Sequence, residues 1–301
     1  MGKIKLIINV FRPIRWYRNL FMFLGSFLAL RFNDINIFNV WYSVLISFIA
    51  LCLVASANYG INEVFDAESD SHHPKKKFRA IPSGRIAKKT IVIISLILYL
   101  VGFGVAYSLG NTLLLLSVFL IFISGILYNL PPFRLKDIPY MDFTFEALNN
   151  PIRLFIGWYA VSLSVIPISI ILFFFFIGIF LMSAKRFGEL RFIENPGEAE
   201  LYRKSLGFYT EKRLLFIMIG SISASMYMFG ILTARHNINL AFSLPFVLIF
   251  IVWFFNLAYE KDSVVKDPER IFEKKHFLFF ILFLAAVFIF LIQYNGIIIN
   301  F

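Results

Sequence analysis

The chain has 301 residues, 59% hydrophobic, 19% aromatic and only 16% charged. Soluble globular domains are nearer roughly 45–50% apolar and about 25% charged, so the composition excludes one and indicates an integral membrane protein. The net charge of +11 does not point to nucleic acid, because the basic residues fall between apolar spans, and the lone Cys52 excludes a disulfide or zinc framework.

Residues 1–18 form a basic arm with Lys3, Lys5, Arg12, Arg15 and Arg18, and with Trp16 and Tyr17 as interface anchors. No secretory signal is expected, since Phe32-Asn33-Asp34 after the first apolar run is not a small-residue cleavage site. Nine apolar spans follow, near 16–31, 38–58, 90–109, 112–130, 143–161, 164–184, 213–233, 239–259 and 277–299. Each is close to the ~20 residues that cross a bilayer. All but three of the 29 Lys and Arg lie in the arm or the even-numbered connections; the exceptions are Arg31, Arg153 and Arg235. This asymmetry predicts a multi-pass protein of the cell membrane with its N-terminus in the cytoplasm and its C-terminus outside. The long connections 59–89, 131–142, 185–212 and 260–276 are then cytoplasmic, and the outer ones are short turns. No repeat, low-complexity segment or separate soluble domain stands out, so 1–301 reads as one transmembrane domain.

The stretch from Asn58 to Arg85 carries the first constellation. Asn58, Asn62, Asp66 and Asp70 recur every fourth residue, which predicts one helix face drifting by ~40° per step. His73-Pro74 ends that helix, because proline disfavours helix at the residue before it. Lys75, Lys76, Lys77, Arg79 and Arg85 follow. Carboxylates beside a basic loop suit a magnesium–diphosphate complex: the carboxylates hold the hard cation while Lys and Arg neutralise phosphate oxygens. His72 and His73 read as phosphate contacts or loop residues, not metal ligands. The bland alternative is a solvated helix end with a positive-inside loop.

The connection after the fourth span carries the second. Pro131, Pro132 and Pro139 keep its first half out of helix, and from Asp142 the chain can run helically into the fifth span. Asp142, Glu146, Asn149 or Asn150, and Arg153 then share a face. A charged Arg153 inside a span requires a polar interior and a partner, such as Glu146 or a bound phosphate. Asp142 and Glu146 join Asp66 and Asp70 as candidate catalytic carboxylates, with Lys136 nearby. Lys185, Arg186, Glu189 and Arg191 follow the sixth span, and Tyr202, Arg203, Lys204 and Tyr209 lie in the same connection. The fold expected is an all-α bundle of nine transmembrane helices around a central polar cavity open to the cytoplasm.

Two acidic motifs, after the second and fourth of nine spans, resemble those of the UbiA superfamily of intramembrane prenyltransferases, whose first motif is similar to Asn62-Glu63-x-x-Asp66-x-x-x-Asp70 here. Four blocks are similar to its polyprenyl-phosphate phosphoribosyltransferase branch. They are Arg12-Pro13-Ile14-Arg15-Trp16, His73-Pro74-x-Lys76-x-Phe78-Arg79, Lys185-Arg186-x-x-Glu189-Leu190 and Arg203-Lys204-Ser205-Leu206-x-x-Tyr209-Thr210. The resemblance implies magnesium on Asn62, Asp66 and Asp70. It implies phosphate contacts at Lys76, Arg79, Lys136, Arg153, Lys185 and Arg186, while Asn58 and His73 are substrate-binding candidates from the first constellation itself. Ala80 stands where the branch has proline, and Tyr128–Lys136 looks more like other branches.

Two donors meet the same demand. A prenyl diphosphate ionises towards an allylic cation, and phosphoribosyl diphosphate towards an oxocarbenium ion, while magnesium and basic groups stabilise the departing diphosphate. The leading expectation is transfer of 5-phosphoribose to a polyprenyl phosphate, a membrane lipid, from a diphosphate-containing small molecule. The alternative enzyme moves a prenyl group from its diphosphate to an aromatic or other small acceptor. A transporter or lipid-binding scaffold is the non-enzyme alternative; a transporter would show inverted repeats and midplane breaks, which are not evident here.

Overall fold

A computed structural model describes residues 2–71, 76–193, 199 and 203–293. It divides into two compact units, Met1–Leu135 with Asn149–Ile166, and Lys136–Leu148 with Pro167–Phe301. Among the described residues every regular element is helical.

In the first unit, α1 (Lys3–Phe11) buries Leu6, Val10 and Phe11 and leaves Ile4 and Ile8 exposed. It stops at Arg12, whose backbone is left-handed at φ 49, and Pro13 opens a 3₁₀ segment to Leu20. Only then does α2 (Phe21–Phe32) begin, so the first expected span is α-helical over its second part alone. Helix α3 (Trp41–Ser71) has 31 residues, about 46 Å of helix against a hydrocarbon core of ~30 Å. Its surplus length carries Asn62 to Asp70 past the apolar stretch. Helices α4 (Lys88–Tyr107) and α5 (Thr112–Asn129) pack on it. Gly102 lets α4 approach close to Ala50, Leu53 and Val54.

Helix α6 (Met141–Tyr159) contains Pro151, and its residues from Asn149 onward belong to the first unit. Gly25 of α2 and Gly157 of α6 form a backbone-to-backbone crossing. A Cβ on Gly25 would run into the Leu154 carbonyl, and one on Gly157 into the Met22 carbonyl. Ser26 Oγ donates to the Gly157 carbonyl at 3.0 Å in the same crossing. Small residues that bring helices close are what packing needs where lipid removes the hydrophobic drive between helices.

The second unit contains α7 (Ile168–Ile193), α8 (Glu211–His236), α9 (Leu244–Tyr259) and α10 (Lys275–Gln293). Phe180, Phe187, Met218, Phe254 and Phe277 centre its core. Ser225 of α8 donates to the Phe173 carbonyl of α7 at 3.1 Å. Phe279, Leu282 and Phe290 of α10 are exposed, as lipid-facing residues would be.

Helices α2 to α10 follow the nine expected spans. By length and composition, seven segments among the described residues could cross a membrane: α3, α4, α5, α7, α8, Ile238–Tyr259 and α10. Helix α2 is short at 12 residues, and α6 carries Asp142, Glu146 and Arg153. One boundary differs materially. Helix α7 continues to Ile193, so Lys185, Arg186 and Glu189 stand on a helix and not in a loop. Residues 194–198 and 294–301 lie outside the described set.

Candidate functional site

The four-residue face of α3 forms as its spacing predicts, but its members differ in role. Asn58 is fully engaged in packing: its Nδ2 donates to the Ile121 carbonyl at 2.9 Å and its Oδ1 accepts from Tyr99 Oη at 2.7 Å. It therefore ties α3 to α4 and α5. Asn62 stands one turn further on. Asp66 accepts from Arg134 Nη2 at 2.9 Å. Asp70, only 4% exposed, accepts from Arg79 Nη1 at 2.6 Å, with Lys76 Nζ at 3.8 Å from its other oxygen. The acidic face and the basic segment behind it are thus joined by direct contacts. His73 lies outside the described residues.

Sequence spacing passed over two neighbours of this face. Arg134 adopts φ 36 in the turn after α5 and supplies the cation for Asp66. Glu63 is buried and lies 3.8 Å from Arg12 Nη2. The drift of ~40° per four residues brings Asp70 round to almost the azimuth of Glu63, which a helical wheel shows and an i, i+4 count does not. Burial, with Arg15 and Arg79 nearby, pushes the Arg12 guanidinium down to about 10, against the opposing pull of Glu63.

Magnesium can be tested against these donors. Asn62, Asp66 and Asp70 offer only oxygen, at i, i+4 and i+8. Among the described residues no group of three or more His, Cys, Asp or Glu could hold a metal unaided. That sparse, all-oxygen set fits Mg²⁺, which binds one or two carboxylates and completes its shell with water and phosphate. It does not fit zinc, which takes nitrogen and sulfur ligands in a closed cage.

The second constellation is a buried ionic hub in the second unit. Arg186 of α7 is 0% exposed. Its Nε lies 2.7 Å from Asp142, its Nη2 3.0 Å from Glu146 and its Nη1 2.8 Å from Glu189. Lys185 Nζ lies 3.3 Å from Glu146. Asp142, also 0% exposed, accepts from Ser205 Oγ at 3.0 Å and Tyr209 Oη at 2.6 Å, with Arg203 at 3.7 Å. The backbone N–H of Tyr140 donates to Tyr209 Oη. Burial, reinforced by the hydrogen bond to Asp142, pushes the Tyr209 phenol well above its usual range. Three carboxylates face Arg186, Lys185 and Arg203, so the charges balance within the hub. Asp142 and Arg186 therefore hold each other, and Asp142 also holds Ser205 and Tyr209.

Of the remaining residues, Lys136 is buried in a 3₁₀ turn at Leu135–Asp137. Arg153 Nε donates to Asn19 Oδ1 at 3.1 Å, and Asn19 Nδ2 reaches Cys52 Sγ at 3.4 Å. Ser124 Oγ donates to Asn149 at 3.1 Å.

The sequence profile of the UbiA prenyltransferase family matches residues 20–283. The chain belongs to the UbiA prenyltransferase family. It is accordingly a transferase and an integral membrane protein. Decaprenyl-phosphate phosphoribosyltransferase of Mycobacterium tuberculosis is 28% identical to this UbiA-family chain over 231 residues, 75% of the chain and 72% of the relative. The protein of that name from Mycolicibacterium smegmatis is 28% identical over 228 residues, 75% and 69% of the two chains. The structure of a UbiA homologue from Archaeoglobus fulgidus bound to DMAPP and Mg²⁺ superposes with a TM-score of 0.70 at 16% identity, covering 93% of this chain and 98% of that one. That likeness establishes the UbiA fold.

Proposed function

We propose that this UbiA-family protein catalyses Mg²⁺-dependent transfer of 5-phosphoribose from phosphoribosyl diphosphate to a polyprenyl phosphate, at the cytoplasmic face of the cell membrane. The observation that carries it is the coupled pair of ion pairs on α3. Asp66 meets Arg134 at 2.9 Å and Asp70 meets Arg79 at 2.6 Å, so metal-holding carboxylates and phosphate-binding guanidiniums already stand at contact distance. The named relatives support the choice of donor and acceptor. The inside location of the N-terminus and a central polar cavity open to the cytoplasm are part of the same proposal.

Asn62, Asp66 and Asp70 would hold the magnesium, which when bound neutralises charge on the departing diphosphate. Arg79, Lys76 and Arg134 bind phosphate oxygens through charge-assisted hydrogen bonds as the sugar–oxygen bond breaks. Lys136, Arg153 and Lys185 are further proposed phosphate contacts, with Glu146 orienting Lys185. A lipid phosphate is already anionic, so the reaction needs no strong general base. Asp142 is a proposed positioning residue, because both of its carboxylate oxygens accept from Arg186, Ser205 and Tyr209 in its buried hub.

One observation favours the second reading, transfer of a prenyl group from its diphosphate to a small acceptor. Arg186 is satisfied by three carboxylates, which removes one basic group expected to serve the extra phosphate of a sugar donor. The two readings separate in one assay. Purified protein in detergent receives Mg²⁺, a polyprenyl phosphate, and labelled phosphoribosyl diphosphate or labelled geranylgeranyl diphosphate. Labelled lipid from the sugar donor supports the proposal; transfer only from the prenyl donor to an aromatic acceptor refutes it.

A further inference from the structure

A cavity of about 270 Å³ opens beside α1, lined by Arg12, Arg79 and Arg85, with Asn9 and Glu63. Glu63 is the one carboxylate among the lining residues, against three guanidiniums. The cavity lies entirely within the first unit and adjoins the acidic face, because Arg79 reaches Asp70 at 2.6 Å. Its volume admits a phosphate together with a sugar ring, and its charge disfavours a hydrocarbon chain.

The arginines are anchored by the chain itself. Arg85 Nε donates to Ser83 Oγ at 2.8 Å, and its Nη2 donates to the Phe78 carbonyl. The Arg12 guanidinium lies 5.7 Å from the Tyr59 ring centre, as does that of Arg15. Arg12 holds a left-handed backbone, φ 49 and ψ 54, directly before Pro13. Glycine or asparagine takes that conformation at lower cost, and strain of this kind persists where a side chain is required in place. Burial and the neighbouring cations depress the Arg12 pKa to about 10, the signature of positive charge that an anion would relieve.

We propose that this cavity is a phosphate subsite that takes the 5-phosphate of the sugar donor, with Arg12 and Arg85 as its specific cations. The inference rests on the phosphoribosyl reading above and deepens it. A donor of that class carries a further phosphate, on the carbon outside the five-membered sugar ring, across that ring from its diphosphate. Guanidiniums match phosphate oxygens in paired hydrogen bonds, which a lysine cannot reproduce. In the second unit, by contrast, Arg186 is bound by Asp142, Glu146 and Glu189.

The test titrates ribose 5-phosphate against the full-length protein in detergent by calorimetry, for wild type, Arg85→Gln and Arg12→Gln. Arg85 is an exposed loop residue, so its variant keeps the fold even where loss of Arg12 disturbs α1. Circular dichroism and size-exclusion profiles confirm that each variant is folded. The expected result is binding by wild type that weakens roughly tenfold in Arg85→Gln, the loss of one charge-assisted contact. The KM for phosphoribosyl diphosphate rises in parallel. Wild type that does not bind ribose 5-phosphate, or equal affinity in folded Arg85→Gln, overturns the subsite. A lipid headgroup is the other source of such a phosphate. Phosphatidylcholine vesicles with and without phosphatidic acid decide that arm: variants that lose only a phosphatidic acid dependence, with ribose 5-phosphate affinity intact, overturn the donor assignment. Failure of the wild type to make lipid product from phosphoribosyl diphosphate refutes the proposed reaction instead, and the ribose 5-phosphate titration still decides the subsite.

Discussion

Replacing Arg186 by Gln separates a buried anchor from a phosphate ligand. The Arg186 side chain is 0% exposed and contacts Asp142, Glu146 and Glu189 at 2.7, 3.0 and 2.8 Å. Removing one partner of a buried ion pair costs about 3–5 kcal/mol, because it leaves uncompensated charge behind. Here Asp142 would keep Ser205 and Tyr209, whereas Glu189, at 8% side-chain exposure, would lose its bond to Arg186. At roughly 2–4 °C per kcal/mol for a domain of this size, the melting temperature should fall by on the order of 6–20 °C. Lys185→Gln is the internal comparison. Its side chain is 16% exposed and its partner Glu146 is shared with Arg186, so the cost should be about 1 kcal/mol. Thermal unfolding of both variants in one detergent, followed by tryptophan fluorescence, reads the difference. A melting temperature for Arg186→Gln within about 1 °C of wild type would refute the buried-anchor account and return Arg186 to the phosphate contacts.

Three further outcomes are expected. Thr112→Cys, at the exposed start of α5, should react with an impermeant thiol reagent added outside cells; reaction only after lysis inverts the topology. Gly157→Ala places a methyl against the Met22 carbonyl and should destabilise the protein by about 1–3 kcal/mol, while Gly230→Ala, with open space at its Cβ, should not; equal melting of the two would show that the α2–α6 crossing yields freely. The Tyr209 phenol is held above its ordinary value of 10, so the stability it contributes is fully present below pH 10 and is lost as pH rises beyond it. Alkaline denaturation should therefore be shallower in Tyr209→Phe, and an unchanged pH dependence would remove Tyr209 from the titration.

Much of the fold was legible because hydrophobic spans and the basic bias of alternate connections are properties of single segments. The acidic helix was legible for the same reason: its period of four lies within one continuous stretch, from Asn58 to Asp70. Its partners were harder to see. Arg134 meets Asp66 across 68 residues of sequence, and only the turn after α5 places it there. The length of α7 was misjudged because Lys185, Arg186 and Glu189 look like the start of a loop. They remain helical because Asp142 and Glu146 from α6 neutralise Arg186 within the bundle. Asn58 shares the periodicity of the metal face yet packs between Ile121 and Tyr99, since a helix face drifts and its first member has turned towards neighbouring helices. Glu63 and Arg12 each stand in a motif of the sequence, but their pairing was not legible there, because it needs α1 folded back on α3.

The central claim is that the carboxylates of α3 hold a magnesium–diphosphate donor for transfer to lipid. The direct measurement is diphosphate release against lipid product, made with purified wild type, Asp66→Asn and Asp70→Asn, each with Mg²⁺ and with EDTA. Asparagine keeps the size of each side chain and removes the charge that the metal requires. The account predicts one diphosphate per lipid product in wild type with Mg²⁺, and loss of both signals on chelation or in either folded variant. Turnover that persists without divalent metal, or at near wild-type rate in both variants, would contradict it.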